Sequence, residues 1–226
     1  MELNLLERFI LIAQHPNKGR FIISDMHINY GIIGAALLEM SFNEQIIIEN
    51  DMLFLKKDKN TNCQIISILV ESIKNSKKPR KLKYWIPKLA RKSHKYKWMI
   101  LEHLKQKDFI RIENKKFLGI ISYRKNYLIK NKERNHLINQ IKDNILNTRN
   151  LSNDDVLILG LIEACKMQKI IISDKNEIKI INKKLKEIIK ESPIAETVDK
   201  TIKQMQAAII GAIAASTIAA SIGGTN

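Results

Sequence analysis

Apolar residues recur at helical spacing along much of this chain. Leu5 to Gln14 carries them three and four apart, which predicts a short amphipathic helix. Gly31 to Phe42, reading Gly-Ile-Ile-Gly-Ala-Ala-Leu-Leu-Glu-Met-Ser-Phe, is apolar on nearly every side and predicts a helix buried all round. Between Asn60 and Lys78 the stripe Ile65, Ile66, Leu69, Val70 and Ile73 predicts another helix, with Pro79 and the lysines after it marking a break. Lys88 to Lys107 sets Leu89, Tyr96, Met99, Ile100 and Leu104 on one face and Arg91, Lys92, Lys95 and Lys105 elsewhere. That pattern predicts one long amphipathic basic helix.

A shorter motif recurs three times. Leu38-Glu39 is followed by Gln45 and three isoleucines, Leu101-Glu102 by Asp108-Phe109-Ile110-Arg111, and Ile162-Glu163 by Lys169 and three isoleucines. A polar turn and a second apolar run follow each copy, so the predicted unit is helix, short strand, turn, short strand. Three related copies and three coincident ones fit the pattern equally. The prediction for the whole is a mainly α fold with amphipathic helices and short β-hairpins, in one domain of generous size or two small ones.

Composition adds a size and a compartment. The 226 residues, 45% hydrophobic and 27% charged, suffice for an ordinary globular core. The two glutamates in Met-Glu-Leu-Asn-Leu-Leu-Glu-Arg, with no long apolar stretch behind them, are unlike a signal peptide and predict a cytoplasmic location. Cys63 and Cys165 are too few and too far apart for a disulfide framework or zinc site, and read as small buried apolar residues. Met205 to Asn226 carries no charge but is rich in Ala, Gly, Ser and Thr, which favours a buried bundle helix over a tail anchor.

Charge changes the picture most. Of the net +16, the segment Lys74 to Arg134 holds 21 Lys/Arg against 4 Asp/Glu, so the excess is confined to it. An Ile-, Lys- and Asn-rich coding bias would spread lysines evenly, whereas a surface that meets phosphates concentrates them. Within this segment, Phe117, Leu118, Ile120 and Ile121 form an apolar run with Lys115, Lys116, Arg124 and Lys125 on its flanks. Such a run suits insertion into a lipid interface while the cations hold phosphates, and a buried β-strand gives the same pattern. A helix followed by a lysine-rich hairpin also has the outline of a winged helix, which would put those four cations on nucleic-acid phosphates. No compact three-helix unit with a polar recognition helix stands in front of it.

In the order of its elements the chain resembles the Golgi phosphoprotein 3 family over nearly its whole length. The residues that carry the likeness are the Leu-rich first helix, Gly31-Ile-Ile-Gly-Ala-Ala-Leu-Leu-Glu-Met with Gln45-Ile-Ile-Ile-Glu, and Leu104-Lys-Gln-Lys-Asp-Phe-Ile with its hairpin at Lys116-Phe-Leu. An Ala-rich C-terminal helix completes it. The resemblance implies a single domain over 1–226, mainly α, a helical-bundle core with amphipathic helices and short β-hairpins, that binds phosphatidylinositol 4-phosphate and uses a hydrophobic hairpin for membrane contact and self-association. Carried over, the family's tryptophan falls at Ser24 and its first arginine at Ile33, while its arginine pair falls at His94 and Lys97. The lipid-binding candidates are therefore Arg91, Lys92, His94, Lys95 and Lys97, and the membrane-contacting candidates Phe117, Leu118, Ile120 and Ile121. Lysine offers a point charge rather than a planar fork, so a looser anionic headgroup site is expected.

Catalytic chemistry finds no motif. His15, His27, His94, His103 and His136 are scattered, and neither a His-Glu-x-x-His nor a Cys-x-x-Cys occurs. Glu39, Glu102 and Glu163 recur in the repeated unit and read as helix-end residues. The expectation is a protein with no catalytic residue, metal or cofactor. Its predicted partner is an anionic membrane lipid, met reversibly at the cytoplasmic face. Self-association through the 115–125 hairpin and an unspecified protein cargo are further expectations, and nucleic acid is the alternative partner.

Overall fold

The computed structural model describes residues 2–56, 63–147, 151–172 and 174–222, with side chains at the C-terminus described as far as Gly211. Ten helices and two small antiparallel sheets form among them. The expected mainly α fold with short hairpins is what the chain adopts.

Two helices without a polar face organise the core. In α2 (Asp25–Phe42) Ile28, Ile32, Ile33, Leu37, Leu38 and Met40 are all inaccessible to solvent. In α7 (Asn153–Ala164) the run Val156 to Ile162 is buried without interruption. Helices this apolar are stable only when other elements surround them, and α1 (Leu5–Ala13), α4 (Leu82–Ala90), α5 (Ser93–Gln106) and α10 (Ala195–Ile222) supply the shell around α2. Glycines permit the closest approaches: a Cβ at Gly31 would overlap the Phe9 ring of α1, and one at Gly34 the Met205 thioether of α10. One apolar cluster takes in buried residues from Leu5 to Met205.

Helix α10 packs through Val198, Ile202, Met205 and Ile209. The buried-helix expectation for 205–226 is met on one face only: Met205 and Ile209 are buried, Ala207, Ile210 and Gly211 are exposed, and 212–226 lies outside the described side chains. No helix among the described residues is long and apolar enough to cross a membrane.

The first sheet joins β1 (Ile46–Glu49), β2 (Met52–Leu55) and β3 (Arg80–Lys81), with Ile48 opposite Leu53 and Leu53 opposite Arg80. Helix α3 (Gln64–Lys74) lies between β2 and β3, and Cys63, which precedes it, is half-buried rather than in the core. The second sheet is a long hairpin of β4 (Ile110–Phe117) and β5 (Ile121–Leu128), paired from Ile110↔Leu128 to Phe117↔Ile121. Helix α6 (Asn131–Asn147) follows it, then α7, the short α8 (Gln168–Ile171) and the amphipathic α9 (Lys175–Glu191).

The structure revises the predicted elements in three places. The long helix over 88–107 is two helices meeting at Arg91 and Lys92. The Ser93 hydroxyl donates to the Ala90 carbonyl at 2.6 Å, giving the backbone a partner other than the next helical turn. Apolar spacing runs through the corner in phase, so periodicity could not reveal it. In the third repeat, Gln168 to Ile171 is helical and Lys175 onward is α9, so no hairpin forms there.

The third revision concerns the glutamates. What the three units share is how their helices end: Gln45, Phe109 and Met167 N–H groups donate to the Met40, Leu104 and Ile162 carbonyls, with Glu44, Asp108 and Lys166 at positive φ. This is the Schellman stop. Glu39, Glu102 and Glu163 stand at different distances from it, so they are not equivalent positions.

Candidate functional site: a basic helix corner beside an apolar-tipped hairpin

Ion pairs and backbone contacts engage many of the cations around α5, as structural ties for Lys107, Lys130 and Arg134 and at the exposed surface for Lys105, Arg111, Lys115 and Arg124. Lys107 pairs with buried Glu7 at 2.7 Å, and Glu7 closes the capping box of α1 with Asn4. Arg134 is buried, and its guanidinium donates to the Leu11 and Ile12 carbonyls at 3.2 and 2.8 Å, satisfying the end of α1. Lys130 donates to the Lys107 carbonyl at 3.0 Å. Lys105 and Arg124 both reach Glu102, and Arg111 and Lys115 both pair with Glu113.

The cations left over collect elsewhere. From Ser72 to Leu101 the sequence holds eleven Lys/Arg and no Asp or Glu. Arg91, Lys92 and Lys95 project at the α4–α5 corner, with no ion pair to any of them among the described residues. The first turn of α5 contains no acid, and Lys92 offers its N-terminus no side-chain cap. The dipole of that helix end and the three cations beside it favour an anion.

The carried-over pocket is only partly assembled. Lys97 is mostly buried, 3.3 Å from the Asp25 carboxylate and 5.9 Å from the Phe21 ring centre, so its charge is already answered. Ser24 caps α2, accepting from the His27 N–H at 3.4 Å. Ile33 is inaccessible on α2, so the position of the family's first arginine faces the core. His94 is exposed, with its Nε2 3.4 Å from the Trp98 indole nitrogen.

The hairpin settles the choice between buried strand and projecting tip. Residues 114–124 are all exposed, and Phe117, Leu118, Ile120 and Ile121 retain 57%, 79%, 83% and 62% of their accessible surface. Leu118 and Gly119 both have positive φ, and the Ile120 N–H donates to the Phe117 carbonyl at 3.1 Å, the arrangement of a type I′ turn. Turning at that point leaves the apolar residues at the far end, with nothing of the body against them.

A stacked seam joins this hairpin to the basic corner. The Arg124 guanidinium lies 3.9 Å from the Trp98 ring centre, and Trp98 in turn meets His94. Since Phe109 at the hairpin base bonds to Leu104, the strands run back along α5 toward its N-terminus. From Arg124 to the tip is about 13 Å of strand, and from Trp98 to the start of α5 about 7 Å of helix. Apolar tip and free cations therefore stand at the same end of α5. The sequence reading missed Trp98 and Arg124 as the coupling, and Asp25 as the partner of Lys97, because all three act across elements far apart in the chain.

Two clefts lie elsewhere among the described residues, about 610 Å³ between β1 and the start of α10 and about 500 Å³ between α7, α9 and α10. What marks the corner is exposed surface of two kinds, cationic and apolar, on a rigid helical body. Fold and surface together define a helical-bundle protein that presents a basic face and a projecting apolar hairpin. The model of the Golgi phosphoprotein 3 (GPP34) family matches residues 5–205, and the chain belongs to that family. No curated protein matches it.

Proposed function

We propose that this protein is a peripheral membrane protein that binds anionic phospholipid headgroups with the Arg91–Lys97 corner and inserts the tip of the β4–β5 hairpin. The observation that carries this reading is the hairpin, four large apolar side chains held out in water at the same end of α5 as Arg91, Lys92 and Lys95. Exposing such a cluster is unfavourable for a protein that stays in solution and favourable for one that meets an interface. Unanswered cations bring about 1 kcal/mol each at an acidic surface, and the tip adds attraction that salt does not screen. Family membership supports lipid binding of the phosphatidylinositol 4-phosphate type. The pairing of Lys97 with Asp25 and the loss of two pocket residues support a looser preference for anionic headgroups.

No catalytic step belongs to this reading. Its setting is the cytoplasmic face of a membrane, where anionic lipid collects. Self-association through the same tip would compete with insertion, since both use Phe117 to Ile121. The test is co-sedimentation with neutral, generally acidic and phosphatidylinositol 4-phosphate vesicles at low and high salt, with a duplex-DNA shift beside it. Binding to acidic vesicles that partly survives high salt is expected. No vesicle binding, with a salt-steep DNA shift, would overturn the proposal in favour of nucleic acid.

A further inference from the structure

The acid-free stretch holds a second cluster, on α4, that neither the family's pocket nor the hairpin uses. Tyr84 lies between two cations: the Arg80 guanidinium is 5.0 Å from its ring centre and the Lys88 ammonium 5.1 Å, and Lys88 also donates to the Tyr84 oxygen at 3.1 Å. Lys88 stands 4.9 Å from the ring centre of Trp85, which meets Tyr84 edge-on. That hydrogen bond pulls the Tyr84 phenol below its usual range, and the charges of Lys88, Arg80 and Arg91 act in the same sense. The aromatic pair thus gathers Arg80 and Lys88, with Arg91 about one helical turn beyond Lys88, and among the described residues none of the three has a carboxylate partner.

Two donors in this cluster are unmet. Arg80 Nε is buried without an acceptor, and so is Nε1 of Trp85, a side chain only 1% exposed. A buried donor left without a partner is costly, and native structures leave few of them. Repulsion among three cations adds to the cost. An oxyanion between Arg80 and Lys88 relieves the repulsion and offers the guanidinium an acceptor, because phosphate oxygens accept from guanidinium and ammonium groups together.

We infer that Arg80, Tyr84, Lys88 and Arg91 form a second phosphate site, which engages a lipid headgroup beside the one at the start of α5. This rests on the membrane reading above. Arg91 supports it, since it stands three residues after Lys88, on the same helical face, at the exposed α4–α5 corner, so the two sites adjoin. With two headgroups held on adjoining helices and the hairpin inserted, the protein has one orientation on the bilayer.

The test uses the full chain and variants K88Q and R91Q, with K77Q as an equally charged control outside the cluster. R80Q is the fourth variant, taken only if its thermal unfolding matches wild type. Inorganic phosphate is titrated while the Trp85 indole N–H resonance is followed, assigned by its persistence in W98F. A saturable shift is expected, lost in K88Q. On acidic vesicles, K88Q and R91Q each lower partition about fivefold, the effect of one well-placed cation, and K77Q lowers it less. No indole shift, or equal losses in K77Q and K88Q, overturns the site. A phosphate shift in a protein that ignores vesicles leaves the site standing and removes the membrane reading. A shift produced by duplex DNA alone, with none from phosphate, overturns the headgroup assignment.

Discussion

Replacing Leu118 and Ile120 together by serine isolates the apolar half of the proposed membrane contact. Burying a leucine or isoleucine completely is worth about 1.5–3 kcal/mol. These two keep 79% and 83% of their surface in water, so nearly all of that gain is still to be had. For the pair it comes to about 3 kcal/mol on insertion, a fall of roughly 100-fold in vesicle partition. Neither residue belongs to a strand, and both are free of the body, so unfolding should move by no more than about 0.5 kcal/mol. The assay is co-sedimentation across a vesicle series at high salt, where cation contributions are screened. Partition unchanged within twofold would refute insertion. Unfolding shifted by several degrees would show that the tip is packed in solution and refute its description as free surface.

Three further outcomes concern the body. Burial, helped by Asp154 and Glu7, raises the Glu39 carboxyl from 4.5 to about 7. A folded-state pKa above the unfolded one gives stability that is full below pH 4.5 and lost as pH rises through 7. Glu39→Gln should therefore match wild type near pH 5 and exceed it at pH 8 by about 2 kcal/mol, roughly 4–8 °C in Tm by calorimetry. Gly34→Ala should destabilise by about 2 kcal/mol through overlap with Met205, and adding Met205→Ala should recover part of it, a coupling that a double-mutant cycle in urea measures. Arg134→Met should lose about 3 kcal/mol in the same assay by stranding the Leu11 and Ile12 carbonyls.

Periodicity made the helices legible where one face or every face is apolar, as in α1, α2 and α3. It failed at Arg91, where a hydroxyl bond turns the chain without disturbing the phase, and at Gln168, where the same apolar triplet that makes a strand after α2 makes a helical turn after α7. The concentration of charge was plain, yet its meaning was not. Lys107, Lys130 and Arg134 look like surface cations in the sequence and are structural ties, because their partners lie in other elements, 100, 23 and 123 positions away. The hairpin could be read as either core or tip until the body was seen to end at its base. The Tyr84 cluster left a trace, the long run without acids, but only the ring geometry gathers those cations around one centre.

The seam between hairpin and helix has a practical consequence. The chain has two tryptophans: Trp85 is enclosed, and Trp98 lies under Arg124 at the junction. Any movement of the hairpin on α5 changes the guanidinium above that one indole, and with it the colour and yield of its emission. The protein thus carries its own optical gauge of engagement, readable without a label, and W98F separates its signal from that of Trp85.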